Sequence, residues 1–248
     1  MIPAKDSTSL SLLFHLNSEP WRNAEAYQQT TGYKVDYLSV REPGAAVSLP
    51  RPGESPLARL IRERYSCRKF LPRPMRLETL STLLWAANGL TRESHLNGGE
   101  LCFSRSIPSA GGLYPLEVFA LVQRIEGLCD GLYHYAVWNH AMEPVHAGAS
   151  FREFESSVLM LPFVEHANAL LFLAAVFART QKKYGPRGYR YVLLEAGHAA
   201  QNLCLAAAES GLGSLCIGGY LDGELNAMLG LEEGKAGVVY AVGAGYPG

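Results

Sequence analysis

Three short stretches of this chain carry side chains that could do chemistry, and each suggests a different task. Arg64, Tyr65, Ser66 and Arg68, within RERYSCRKF, set planar guanidinium forks beside a small hydroxyl donor, which suits a phosphate better than a lone lysine would. The same run also fits a solvated basic turn. Pro108, Ser109, Ala110, Gly111 and Gly112, in IPSAGGLYPLEVFALV, are small enough for a flat ligand to approach the backbone closely. They fit an ordinary tight turn before a strand equally well. The third stretch, Arg179 to Arg190, is a knot of Lys, Arg, Tyr and Gly around Pro186, dense in donors and titratable groups.

The elements that must hold these stretches follow from their flanks. After Pro186 and Gly188 punctuate a turn, a helix is expected from Arg190 to Gly211, interrupted only by Gly197 and ended by a glycine. Its polar residues Glu195, His198, Asn202 and Glu209 fall on one narrow stripe. The rest is apolar almost all round, so the helix must be covered on most sides by a sheet and by another helix or a second subunit. Leu116 to Val122, Ala169 to Phe177, Ser214 to Tyr220 and Val238 to Val242 read as strands, and Gly131 to Val145 as an aromatic hairpin turning near Asn139 and His140. Helices are expected over Leu57–Arg64, opened by Ser55 and Pro56, over Leu77–Asn88, stopped by Gly89, and over Asp222–Leu229, capped by Asp222. Phe151 to Leu159 fits a further helix. Thr91 to Ser106 is polar and reads as a mobile surface loop that could act as a lid.

Composition sets the bounds. With 248 residues the chain is long enough for one large domain, expected over 57–248, behind an N-terminal arm over 1–56 in which Leu10 to Trp21 carries apolar residues. A net charge of -1 with 18% charged residues gives no pull towards nucleic acid or an anionic membrane. Five cysteines without a C-x-x-C pair suggest neither a disulfide framework nor a zinc site. His134 and His140 sit among aromatics without ligand spacing, so packing or surface roles are expected and no metal. The longest apolar run, Ala167 to Ala178, is too short to span a bilayer, and the chain reads as soluble and cytoplasmic.

Singly these motifs are common; their order is not. An R-x-S-x-R run, P-S-A-G-G-L-Y-P before a strand, K-Y-G-x-R-G-Y-R opening an E-x-G-H-x-x-Q-N helix and an I-G-G strand end occur together over roughly Leu57 to Gly245. The chain resembles the nitroreductase-like FMN flavoproteins, and most closely their SagB-type branch, the azoline dehydrogenases. The resemblance implies an α+β fold, an antiparallel-dominated sheet flanked by helices, in an intertwined homodimer with two shared flavin sites. It implies that Arg64, Tyr65, Ser66 and Arg68 hold the FMN phosphate and ribityl chain. It further implies that Pro108, Ser109, Ala110 and Gly111 lie along the ring, commonly from the other subunit, and that Ile217, Gly218 and Gly219 face the flavin near N5. Lys183 and Tyr184 match the catalytic Lys-Tyr pair. One departure stands out: many nitroreductases have a basic residue near the C-terminus, whereas this chain ends AVGAGYPG with none after Lys235.

The implied reaction is oxidation of a thiazoline or oxazoline ring to the azole, with a hydride to the flavin and a proton to the Lys-Tyr pair, in a natural-product pathway acting on a peptide or carrier-bound intermediate. Dioxygen would reoxidise the flavin. Ordinary lysine and tyrosine, at ~10.4 and ~10, hold protons too tightly to act as bases at neutral pH. Arg179, Arg187 and Arg190 would favour the neutral amine and the phenolate if they lie close in space. Two other readings stay open on the same fold: an NAD(P)H-dependent reductase of nitro compounds or quinones, and a non-catalytic scaffold subunit.

Overall fold

The computed structural model describes residues 47–95 and 101–248; the arm expected over 1–56, with its apolar Leu10–Trp21, falls outside these apart from 47–56. Helix α1 (Pro56–Glu63) is capped as its sequence demands, Ser55 accepting the Ala58 N–H at 3.1 Å with proline in the first turn. Helix α2 (Leu77–Asn88) buries Leu80, Leu83, Leu84 and Ala87. Strands β1 (Leu90–His95) and β2 (Leu101–Arg105) follow as a hairpin of their own. The described parts of the expected loop, 91–95 and 101–105, are therefore strands. Side chains of β1 are mostly exposed and those of β2 mostly half-buried, so no apolar alternation marked the stretch, and Thr91 ties the pair together by donating towards the Ser104 and Arg105 carbonyls.

The main sheet comprises β3 (Leu116–Val122), β4 (Gly131–Ala136), β5 (Ala141–Ala147), β6 (Ala169–Val176), β7 (Gly213–Ile217) and β8 (Ala236–Gly245). Its order is β5-β4-β3-β6-β8-β7, and every neighbouring pair is antiparallel. Strand β6 lies inside the sheet with both faces covered. Leu171 and Leu173 point into a core shared with α2 and the long helix, while Leu170 and Phe172 point into a second core with Phe154, Val158 and Leu225. Double burial is why its sequence is apolar without alternation.

After β6 the chain enters helix α3 (Phe177–Tyr184), where strand and then turn were expected, and stops at Gly185, whose φ of 57° only glycine adopts readily. Helix α4 (Arg187–Glu209) starts three residues earlier than its apolar run suggested, with Pro186 at its N-cap, and Gly211 follows it at φ 69°. Val192, Ala196, Ala199, Leu203 and Ala207 face the core, whereas Leu193 and Leu194 stay 39% and 56% exposed. Helix α5 (Asp222–Met228) takes Leu221 as its N-cap, not Asp222, which stands in the first turn. The segment after Ser150 forms only a short 3-10 turn, Phe151–Phe154, in place of a longer helix. Among the described residues no helix is long and apolar enough to cross a membrane.

Candidate active site

The segment from Ser109 to Tyr114 is wound tightly because three of its residues sit at positive φ: Gly111 at 67°, Gly112 at 66° and Tyr114 at 42°. Ser109 Oγ accepts the Tyr114 N–H at 2.9 Å and closes the turn. A Cβ placed on Gly111 would stand 2.7 Å from Tyr184 Oη and 2.8 Å from Lys183 Nζ. The ends of both side chains therefore meet at one point of backbone, and only a glycine leaves them room. Lys183 Nζ lies 5.4 Å from the centroid of the Tyr184 ring, which is braced edge-on by Tyr191 at 5.0 Å. The sequence-predicted pair and the sequence-predicted small-residue segment thus form one constellation.

Helix α3 is clamped to that segment one turn before Lys183. Arg179 donates to the Tyr114 carbonyl at 3.1 Å and pairs with Glu117 at 2.5 Å. Its guanidinium is thus paired with a carboxylate on β3. Glu117 also meets His134 at 3.0 Å, and the other nitrogen of that ring meets Glu143 at 3.3 Å. His134 is thus more than a packing residue, although it does lie against Phe119 at 5.1 Å. Burial alone would lift Glu117, but His134 and Arg179 outweigh it and hold the carboxyl below its ordinary 4.5. The bond to Glu117 in turn raises His134 above 6.5 against its own burial. These groups line a cavity of about 540 Å³ with Arg105, Tyr114 and Trp138.

The signs of the two shifts define a window. A depressed Glu117 stabilises the fold above about pH 4.5 and loses that contribution as pH falls through its folded value; a raised His134 contributes below about 6.5 and loses it as pH rises through its own. Glu117→Gln should lower the unfolding temperature most near pH 6, by an amount equivalent to roughly 1–3 kcal/mol. At pH 9 only the Arg179 share should remain. Equal losses at pH 6 and pH 9 would remove His134 from the clamp.

Beneath the same segment lies Glu195, 2% exposed, with Oε1 lacking any hydrogen-bond partner. Burial pushes its carboxyl up to about 7, opposed by the Ser109 hydroxyl and the Arg105 charge. Arg105 is held by the Asn88 side chain at 3.1 Å and lies 4.9 Å over the Tyr114 ring. Of the polar stripe on α4, Glu195 and Asn202 turn inward, and Asn202 donates to the Ala86 and Ser106 carbonyls at 3.1 Å each. His198 and Glu209 face outward.

The basic run sits elsewhere. Ser66 bridges Ser214 at the start of β7, and the Cys67 N–H donates to the Ser214 carbonyl at 2.9 Å. Cys67 fits against Gly213, where a Cβ would come within 2.6 Å of its sulfur. Tyr65, Ser66 and Arg68 are exposed and Arg64 half-buried; the Arg68 guanidinium reaches no nearer than 3.5 Å to the Ser66 carbonyl. Residues Phe70 and Pro247 pair, and the Gly248 N–H donates to the Lys69 carbonyl at 2.8 Å. The chain end expected to lack a cation therefore lies beside Lys69. At the other end of β7, Ile217 is buried, and a Cβ on Gly218 would meet no atom within 4 Å.

These features fit FMN. A donor run of Arg64, Ser66 and Arg68 leaves its charge to solvent, and Gly218 keeps an open backbone edge against which a flat ring can lie. The chain belongs to the nitroreductase family, whose model matches residues 61–246, and with that family it is an FMN-dependent oxidoreductase.

Among relatives, the chain is 34% identical over 187 residues to a Methanocaldococcus jannaschii protein that carries a nitroreductase name, covering 75% of this chain and 90% of the archaeal one. It is 33% identical over 139 residues to the microcin B17-processing protein McbC of Escherichia coli, covering 52% of this chain and 49% of McbC. The chain thus spans about half the length of that relative. The E. coli microcin synthetase McbBCD complex with truncated pro-MccB17 bound contains a chain of the same fold, with a TM-score of 0.74 at 23% identity over 99% of this chain and 95% of that one.

Proposed function

We propose that this protein oxidises a thiazoline- or oxazoline-type ring to the azole on a peptide or carrier-bound intermediate. The observation that carries the reading is the meeting of Lys183 Nζ and Tyr184 Oη at Gly111, beside the small-residue segment. Likeness to a microcin-processing protein supports the substrate class. Arg64, Tyr65, Ser66 and Arg68 would hold the phosphate and ribityl chain, and Pro108 to Gly111 with Ile217 to Gly219 would flank the ring. The chemistry FMN supplies when bound is acceptance of a hydride.

What remains for this chain is the proton. Oxidising the ring removes a hydride from one carbon and a proton from its neighbour. Lys183 and Tyr184 act on that proton as a unit, since their polar ends share one point in space. Clamping of α3 through Arg179 and Glu117 keeps the pair in line with the reacting atoms, which is where positioning gains most.

The two groups of site residues lie at different levels along α4, which supports the dimer we propose. Glu195 is beside Ser109, while Cys204, nine residues on, is beside β7, so the groups are separated by about 14 Å of helix. Each complete site would combine Arg64–Arg68 and Ile217–Gly219 of one protomer with Pro108–Gly111, Lys183 and Tyr184 of its partner. The exposed Leu193 and Leu194 on α4 give the dimer an apolar face. Inactive Arg68→Ala and inactive Lys183→Ala proteins, unfolded together and refolded as a mixture, should recover about a quarter of wild-type activity, because mixed dimers carry one intact site. No recovery would mean that each site is built within one chain.

A second reading has support in the archaeal relative's name: an NAD(P)H-dependent reductase of nitro compounds or quinones. Anaerobic addition of NADPH or NADH separates the two. A flavin spectrum that persists favours azoline oxidation, and one that bleaches within seconds favours the reductase.

A further inference from the structure

Cys204, near the end of α4, and Cys216, on β7, bring their sulfurs to 3.6 Å. All five cysteines are free thiols, and the proposed ring oxidation uses none of them. The two differ in access: Cys204 is 3% exposed, while Cys216 opens to solvent. They also differ in what faces them. The two sulfurs share a hydrogen bond in which either can donate; the Tyr240 hydroxyl from β8 also bonds towards Cys216, Ser214 on β7 bonds towards Cys204, and the Arg64 charge acts on both.

One proton is therefore shared unequally. The bond from Cys204, helped by Tyr240 and Arg64, outweighs burial and lowers Cys216 to about 6, while that same bond and burial push Cys204 up. An accessible thiolate stabilised by donors, with a second thiol in contact, is the arrangement of a reactive cysteine and not of an inert buried one.

We propose that Cys216 and Cys204 form a redox-active dithiol site that reduces a hydroperoxide, Cys216 being the nucleophile and Cys204 the resolving thiol. The Cys216 thiolate attacks the terminal peroxide oxygen, the O–O bond breaks, and the departing oxygen takes a proton and leaves as alcohol or, from hydrogen peroxide, as water. Cys216 is then a sulfenic acid. The Cys204 sulfur, releasing its proton, attacks the Cys216 sulfur; the S–S bond forms, the S–O bond breaks, and water leaves. Two thiols and one hydroperoxide thus give a disulfide, an alcohol and water. Dioxygen that accepts two electrons and two protons becomes hydrogen peroxide, so an oxidase on this fold would make the reagent locally. The site itself does not depend on which ring the enzyme oxidises.

The bond would fasten α4 to β7 directly before Ile217, Gly218 and Gly219. The experiment is treatment of the native, cofactor-loaded protein with one equivalent of hydrogen peroxide, followed by alkylation and peptide mapping. Two thiols should disappear, a Cys204–Cys216 linked peptide should form with a mass loss of about 2 Da, and dithiothreitol should reverse both. In Cys204→Ser the oxidised Cys216 should be trapped by dimedone. At pH 5.5 iodoacetamide should label Cys216 about ten times faster than free cysteine, the gain in thiolate exceeding the loss in nucleophilicity. Five alkylatable thiols after peroxide, or consumption of Cys129 or Cys102 ahead of Cys216, would overturn the proposal.

Discussion

Replacing Lys183 with alanine, or Tyr184 with phenylalanine, should lower turnover of an azoline substrate by 10²–10⁴-fold, the usual contribution of a positioned proton-transfer group. The bound flavin spectrum should not change, because neither side chain belongs to the residues proposed to hold phosphate or ring edge. The double variant should cost little more than the worse single one. Both polar ends stand against Gly111, so they serve one proton, and groups that act as a unit are strongly non-additive. Gly111→Ala provides an independent check on the same geometry. Its methyl would collide with both side chains at a backbone φ of 67°, so turnover should fall as in the pair variants. Gly112→Ala, at nearly the same φ but with open space around it, should fall far less. Full activity in both Lys183→Ala and Tyr184→Phe would end the assignment, whatever the flavin does.

What the sequence disclosed depended on how local the cause was. Strand β3 begins and ends where its apolar run does, and α2 and the β4–β5 hairpin lie where periodicity and turn residues put them. Helix α3 was hidden because the apolar run of β6 continues into Phe177, and because Pro186 and Gly188 read as a turn when they in fact start α4. The hairpin of β1 and β2 was hidden for a different reason: with no side chain of either strand fully buried, nothing in its pattern separates strand from loop.

Site residues divide in the same way. Lys183, Tyr184 and the Ser109–Gly112 segment could be named because their chemistry is contiguous in sequence. The clamp could not. Glu117, His134 and Arg179 come from β3, β4 and α3, and only the register of the sheet, which sets Phe119 opposite His134, makes them neighbours. Glu195 was visible as a polar break in an apolar helix, but the direction it faces depends on how α4 packs against α2 and Arg105.

That direction yields the second large effect. Glu195→Gln should stabilise the protein at pH 8 by up to about 3 kcal/mol and at pH 5 by less than about 1 kcal/mol. A carboxyl whose folded value is about 7, against an ordinary 4.5, binds its proton more tightly when folded than when unfolded. The folded state therefore gains from the neutral acid below pH 4.5, and the gain fades as pH rises through 7, where a charge must exist with Oε1 unpartnered. Glutamine fills the same space without ever carrying that charge, so its stability should be flat across the interval. The measurement is thermal unfolding of both proteins from pH 5 to pH 8. A difference that does not grow with pH would mean that Arg105 and Ser109 keep Glu195 ionised throughout. The buried acid under the Lys-Tyr segment would then be a fixed anion, and part of what holds Arg105 in place.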